Sequence, residues 1–360
     1  MVSAADLRGQ GNPWEGANPH AFRNGPAYIP PMTTPHNRRA ILTLLPAAWS
    51  MAAWSQSAPD KPSWPTRPIR LLIGFPPGSV QDLSARALSD ALGRELGQAV
   101  VVENRSGASG TIAADQVAKA TDLHTFGVMN NSQLTIARLL NPSVAYDPAK
   151  DLAPIALIGT TPLLLVVGSA AAGNSPREWL DWLRAMGDRA NYGSPGNGTP
   201  GHLGMELLKS RSGIAATHVP YPGNPQIITA MLGGQLQAAL LPPGLAMQQV
   251  ATGRIRAVGI TAARRSTLAP DQMTLGELGV AGSEVELWTA LAGPASLPVA
   301  VRDKLGAAVI GLLKTDEVRQ RLFTAGWQAT PSNAVGLSTR MREDTGTFSA
   351  IIRSRDIKAQ

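Results

Sequence analysis

Ile69-Arg70-Leu71-Leu72-Ile73-Gly74-Phe75-Pro76-Pro77-Gly78-Ser79-Val80-Gln81-Asp82 runs from an apolar strand pattern, through a proline–glycine turn, into a helix. The helix shows in Val80, Leu83, Ala87, Leu88, Ala91 and Leu92, which recur at spacings of three and four and so share one buried face. A strand that gives way to a helix like this aims unpaired backbone N–H groups and a positive helix end at one place. The same passage recurs at Tyr192-Gly193-Ser194-Pro195-Gly196-Asn197-Gly198-Thr199-Pro200-Gly201-His202. There Thr199 is placed to be the N-cap and Pro200 the first helical residue. Two such turns, one per lobe, are the parts needed to grip an anion between two domains.

Strand and helix patterns alternate from residue 64 onward, the signature of α/β domains with mostly parallel sheets. Strand patterns lie at 69–75, 99–103, 125–129, 155–158, 163–167, 190–192, 216–219, 238–241, 256–261 and 285–291. Ser175-Pro176-Arg177-Glu178 is a capping box that opens a helix carrying Trp179, Trp182 and Leu183. Residues 298–352 read as two or three helices with little strand.

The 360 residues allow about two domains, and 44% hydrophobic with 16% charged residues describes a globular chain. With no cysteine there is no disulfide, thiolate nucleophile or zinc–thiolate cluster, and five scattered histidines offer no transition-metal site. No cofactor or metal is expected. The net charge of +7 does not point to nucleic acid. Basic residues are dispersed, with adjacent pairs only at Arg38-Arg39 and Arg264-Arg265, and aromatics are 5%.

The N-terminus stands apart. Residues 1–31 show no helix or strand period, and Met32 then opens a new text. Arg38-Arg39 is followed by the apolar run Ala40-Ile41-Leu42-Thr43-Leu44-Leu45 and by small residues near 55–58, the layout of an export signal. The run is too short and proline-broken for a membrane span; a buried helix of an extra subdomain is the competing reading. The expected organisation is therefore 1–31 as a mis-extended or disordered start, 32–58 as signal peptide, 64–163 plus 292–360 as lobe 1, and 164–291 as lobe 2.

Each motif admits two readings. Ser79 and Asp82 fit Ser-x-x-Asp, an ordinary cap worth about 1 kcal/mol. Alternatively, Gly78 and Ser79 present N–H groups to a ligand while Asp82 shapes the turn or meets a ligand ammonium or water. Pro76-Pro77-Gly78 favours the second, since a stiff turn ending in a glycine is more than a cap requires. In the second turn Ser194, Gly196, Asn197, Gly198 and Thr199 are candidate ligand contacts, against a plain surface loop. His202 either donates to a carboxylate or packs and caps. Arg105, in the third glycine turn 104–110, pairs with a carboxylate ligand or fixes Glu103. Tyr221 is a cleft wall or a core residue. No Gly-x-Ser-x-Gly elbow, His-Glu-x-x-His or tight carboxylate pair is present.

Over roughly residues 64–350 the chain resembles the Bug/TctC-type periplasmic solute-binding proteins of tripartite tricarboxylate transporters. Phe75-Pro76-Pro77-Gly78 with Asp82, Val101-Val102-Glu103-Asn104-Arg105 with Gly107 and Gly110, and Tyr146-Asp147-Pro148 carry the likeness. So do Tyr192-Gly193-Ser194 through His202-Leu203, His218-Val219-Pro220-Tyr221 and Leu232-Gly233-Gly234-Gln235. The resemblance implies a two-lobe, type II Venus-flytrap α/β fold with two crossing strands, near 161–168 and 288–294. It also implies a carboxylate held largely by backbone amides and water, from Phe75, Pro77, Gly78, Ser79 and Asp82 on one side and the second turn on the other. The family's usual Gly-Gly is Gly78-Ser79 here, and its acidic or amide residues after the eighth strand are Leu240-Leu241-Pro242-Pro243. Those departures imply a second-lobe wall of lower polarity.

The implied function is capture of a small carboxylate and delivery to membrane permease subunits by hinge closure without chemistry, the protein acting as a monomer in the periplasm. An enzyme on a similar scaffold and a ligand-sensing partner of a membrane receptor are the alternatives from other classes.

Overall fold

A computed structural model describes residues 64–358, all within the compact unit that begins at Pro59. The expected signal peptide and the segment before it lie outside the described residues. In chain order the elements are β1 (Ile69–Ile73), α1 (Val80–Leu96), β2 (Val100–Asn104), α2 (Thr111–Ala118) and β3 (Thr125–Asn130). A π turn (Ser132–Ile136) leads into the short α3 (Ala137–Leu140), then β4 (Leu152–Pro162) and β5 (Leu164–Gly168). Next come α4 (Pro176–Met186), β6 (Asn191–Ser194), α5 (Pro200–Ser212), β7 (Thr217–Pro220) and α6 (Asn224–Leu232). β8 (Ala238–Leu241), α7 (Pro243–Ala251), β9 (Ile255–Ile260) and β10 (Glu286–Pro294) follow. The chain ends in α8 (Val299–Leu312), α9 (Asp316–Thr324), β11 (Gln328–Asn333) and α10 (Ala334–Ser354).

The strands form two sheets, ordered β11-β4-β10-β3-β1-β2 and β7-β6-β8-β5-β9. Each is built around three parallel strands, β2-β1-β3 and β7-β6-β8, beside which an antiparallel strand is inserted, β10 or β5. The carboxyl ends of parallel strands in such sheets open onto a crevice where ligands bind, and both glycine turns sit at such ends. β3 is buried along all six residues, which explains its unbroken apolar and small-residue text.

Only Leu163 separates β4 of the first sheet from β5 of the second. Its N–H donates to Thr261 Oγ1 at 2.9 Å, and the Thr261 N–H returns to the Leu163 carbonyl at 2.8 Å. Thr261 also exchanges bonds with Val285, its Oγ1 donating to the Val285 carbonyl and its carbonyl accepting from the Val285 N–H. The two crossings are thus tied at one point. β10 pairs with β4 from Glu286 onward, so its residues 286–291 belong to the first sheet, ahead of the 291/292 division read from the sequence.

β11 is the strand that sequence reading missed. Gln-Ala-Thr-Pro-Ser-Asn has no apolar alternation and contains Pro331, tolerable because the strand lies at a sheet edge and its register slips between Ala329 and Ser332. Just before it, Trp327 is fully buried and its Nε1 donates to the Val80 carbonyl at 2.8 Å, fixing the first turn of α1. Replacing Trp327 with Ala should cost about 3–5 kcal/mol, read by urea unfolding. A loss below about 1 kcal/mol would show that this ring does not anchor α1.

Candidate functional site

The two glycine turns are the same device in the same register. Gly78 and Gly198 both sit at positive φ, +77° and +75°, where a side chain is strained. Each donates its N–H to a side chain four residues on: Gly78 to Asp82 Oδ2 at 3.0 Å, Gly198 to His202 Nδ1 at 3.1 Å. The next residue is the N-cap in both, Ser79 accepting from the Asp82 N–H and Thr199 from the His202 N–H, each at 3.4 Å. The Ser79 N–H goes to the Pro76 carbonyl. The donors expected to reach a ligand, those of Gly78 and Ser79, are therefore taken up inside the turn. The N–H groups of Val80, Gln81 and Gly201 have no acceptor among the described residues. Pro200 has none to offer.

Asp82 is 2% exposed. Burial alone raises its pKa, but hydrogen bonds from Arg86, the Gly78 N–H and Asn104 outweigh that and hold it below the usual carboxylate range. Asn104 Nδ2 also donates to the Phe75 carbonyl, so one carboxylate ties β2, the turn and α1 together. Of the two roles open to Asp82, this is turn shaping. Arg105 is likewise turned to the protein, donating to Glu103 Oε2 at 3.0 Å.

Behind the second turn His202 and His218 stack with ring centroids 4.1 Å apart, and Tyr192 lies 5.0 Å beyond His218. The Ser194 hydroxyl donates to the Gly196 carbonyl and so accepts from His218 Nε2 at 2.7 Å. Burial pushes His202 down to about 4, and burial plus the neighbouring His202 pushes His218 down to about 3. Both rings are neutral at pH 7, and His202 accepts where the sequence left donation open. Unfolding restores the ordinary affinity near 6.5, so the unfolded chain takes up protons that the native chain refuses. Stability is therefore expected to fall as pH drops from about 6.5 towards about 4.5, above the range in which the lowered Asp82 and Glu206 carboxyls contribute. Melting temperatures across that window test this: wild type should decline and His202→Asn should decline less. A flat wild-type profile would contradict it.

Between the turns lies a cavity of about 30 Å³. Phe75, Ser79, Val80, Gln81, Asn130 and Leu287 face it from the first lobe, and Pro195, Thr199, Pro200, Gly201, Asn224, Leu240 and Pro242 from the second, with Leu163 at the crossing. The N-termini of α1, α5, α6 and α7 all contribute to the wall, and no charged side chain does. Asn224 is 5% exposed, and its side chain has no hydrogen-bond partner among the described residues. The low-polarity second-lobe wall is there in Leu240 and Pro242.

Of the residues picked from sequence, Phe75, Ser79 and Thr199 face this cavity. Pro77, Gly78 and Asp82 build the turn behind it, and Ser194 and His202 support the second turn from within. Gly196, Asn197 and Gly198 meet the first lobe. Ser109 Oγ donates to the Asn197 carbonyl at 2.8 Å, and a Cβ on Gly196 would stand 2.5 Å from Ser109 Oγ. Tyr221 is half-buried against the second-lobe core. Asn130, Gln81 and Asn224 were missed. Asn224 had a signal, the strand-to-helix turn Pro220-Tyr221-Pro222-Gly223-Asn224-Pro225, whereas Asn130 ends β3 without a glycine turn to mark it.

The profile of the tripartite tricarboxylate transporter family receptor, TctC, matches residues 84–357. The chain belongs to that family. It is 30% identical over 317 residues to the UPF0065 protein in the tcbD-tcbE intergenic region of Pseudomonas sp. (strain P51), covering 88% of this chain and 94% of that one. It is 30% identical to protein BugT of Bordetella pertussis, covering 82% and 91%. Among solved structures, R. palustris Rpa4515 with adipate superposes with a TM-score of 0.79 at 28% identity, covering 82% and 99%. MatC from Rhodopseudomonas palustris with bound malate gives 0.75 at 29%, covering 80% and 100%. The periplasmic binding protein BugD gives 0.77 at 26%, covering 82% and 100%. This TctC-family chain has the two-lobe type II fold, and it is a solute-binding protein, not an enzyme. No helix of the described residues is long and apolar enough to cross a membrane.

Proposed function

We propose that this protein captures a small carboxylate between its lobes and delivers it, in the periplasm, to membrane subunits of a tripartite tricarboxylate-type transporter. The export signal near Met32 takes it there. Lobe 1 comprises 64–163 with the chain from 286 onward, and lobe 2 comprises 164–285. The observation that carries the reading is the convergence of the free N–H groups of Val80, Gln81 and Gly201 on a cavity without charged walls. Helix N-termini favour an anion there, and no carboxylate lines the cavity to repel one. The adipate and malate complexes of two relatives support the same ligand class.

The Leu240, Pro242 and Leu287 walls favour a carboxylate with an apolar body over a citrate-like polyanion, because further charges would find no cation. Closure is held by Ser109 against Asn197, and by Gly244 against Gly326, where a Cβ on Gly244 would lie 2.5 Å from Gly326 Cα. The expected result is a selective rise in unfolding temperature with mono- or dicarboxylates of apolar body, after bound ligand has been stripped by denaturation and refolding. A ligand at a hundred times its dissociation constant adds about 2.7 kcal/mol. Gly201→Trp, at a residue that lines the cavity, should abolish the rise. No shift with any aliphatic, aromatic, hydroxy or amino carboxylate would overturn the proposal.

A further inference from the structure

The π turn Ser132–Ile136 has a second face. Gln133 looks towards the cleft, its Oε1 accepting from the Asn130 N–H at 2.9 Å and from Gln81 Nε2 at 3.4 Å. Leu134 and Thr135 of the same turn line a separate cavity of about 540 Å³ on lobe 1. That volume falls in the ordinary range for small-molecule sites, about 300–1,000 Å³. α3, the loop before β4, β4 and α10 complete its walls.

The chemistry of the walls is unlike that of the cleft. Leu134, Leu139, Leu152, Pro154 and Met341 make an apolar surface, and Arg138 and Arg342 stand exposed over it. Among the described residues Arg138 has no hydrogen bond or ion pair, and Arg342 donates only to Thr339 Oγ1 at 3.1 Å. The one acid in the lining, Asp147, accepts the Ala149 N–H at 3.0 Å and lies 3.7 Å from Lys150 Nζ, so it is committed to its own turn. Two exposed guanidinium groups thus line an apolar recess whose one carboxylate is engaged in its own turn.

We propose that this recess is a second ligand site, for an amphipathic organic anion. An aliphatic or aromatic body covers the leucine, proline and methionine surface, and one carboxylate or sulfonate meets Arg138 and Arg342. The site does not depend on the reading of the cleft. It needs no lobe closure, because every wall belongs to lobe 1, and its charge selection comes from side chains, not helix ends.

Fluorescence titration of the full chain with 8-anilinonaphthalene-1-sulfonate, with decanoate as competitor, tests the proposal. One saturable site displaced by decanoate is expected. Arg138→Glu with Arg342→Glu should weaken both probes by about tenfold or more, and Arg138→Lys with Arg342→Lys should stay within about threefold. Both side chains are exposed, so melting curves of the variants should overlay wild type. Absence of saturable binding, or binding that survives charge reversal as binding in the uncharged cleft would, overturns it. So does a recess that accepts an acidic peptide but neither probe.

Discussion

A glycine N–H held by a side chain four residues further on is the constraint from which the cleft follows. Asp82 does this for Gly78 and His202 for Gly198, one as a buried anion and the other as a buried neutral ring. Each bond takes a donor that would otherwise face the cleft, and each N-cap takes a second. What remains is the first and second helical N–H on lobe 1, Val80 and Gln81, and the second alone on lobe 2, Gly201, because Pro200 has none. Chemically different partners thus give one geometry, and neither needs to touch the ligand. The wall around these N–H groups carries no charged side chain, and the helix ends supply its positive potential.

The second link is the tie at Leu163, Thr261 and Val285. A single residue separates β4 from β5, so the step from one sheet to the other is short and each sheet keeps its own hydrogen-bond ladder. Contacts between the lobes also lie away from this crossing, at Ser109 with Asn197 and at Gly244 with Gly326. Two of the glycines in the second turn are explained by such contacts. Gly196 and Gly198 leave room for Ser109 and Leu140 of the other lobe.

Much of the architecture was legible because strand and helix periods are clear in the sequence. Ten of the eleven strands carried an apolar signal, and the exception, β11, is a polar edge strand whose identity depends on its neighbour β4. Site legibility was uneven for a physical reason. Glycine and cap residues announce where a turn is but not which N–H stays free. That depends on whether Asp82 and His202 point back at the turn or out to solvent, a rotamer question settled by packing. Thr199-x-x-His202 mirrors Ser79-x-x-Asp82, and the parallel is visible in the sequence once an imidazole is counted as an acceptor. Asn130 had no such marker, since it reaches the cavity from the end of a buried strand.

The most direct test is amide NMR of the 15N-labelled full chain on adding adipate, malate and benzoate in turn. With the carboxylate that binds, the largest downfield amide-proton shifts should fall on Val80, Gln81 and Gly201. Gly78 and Gly198, already hydrogen-bonded to Asp82 and His202, should move little. Dominant shifts at Gly78 and Gly198, with Val80, Gln81 and Gly201 unmoved by every carboxylate, would contradict the account.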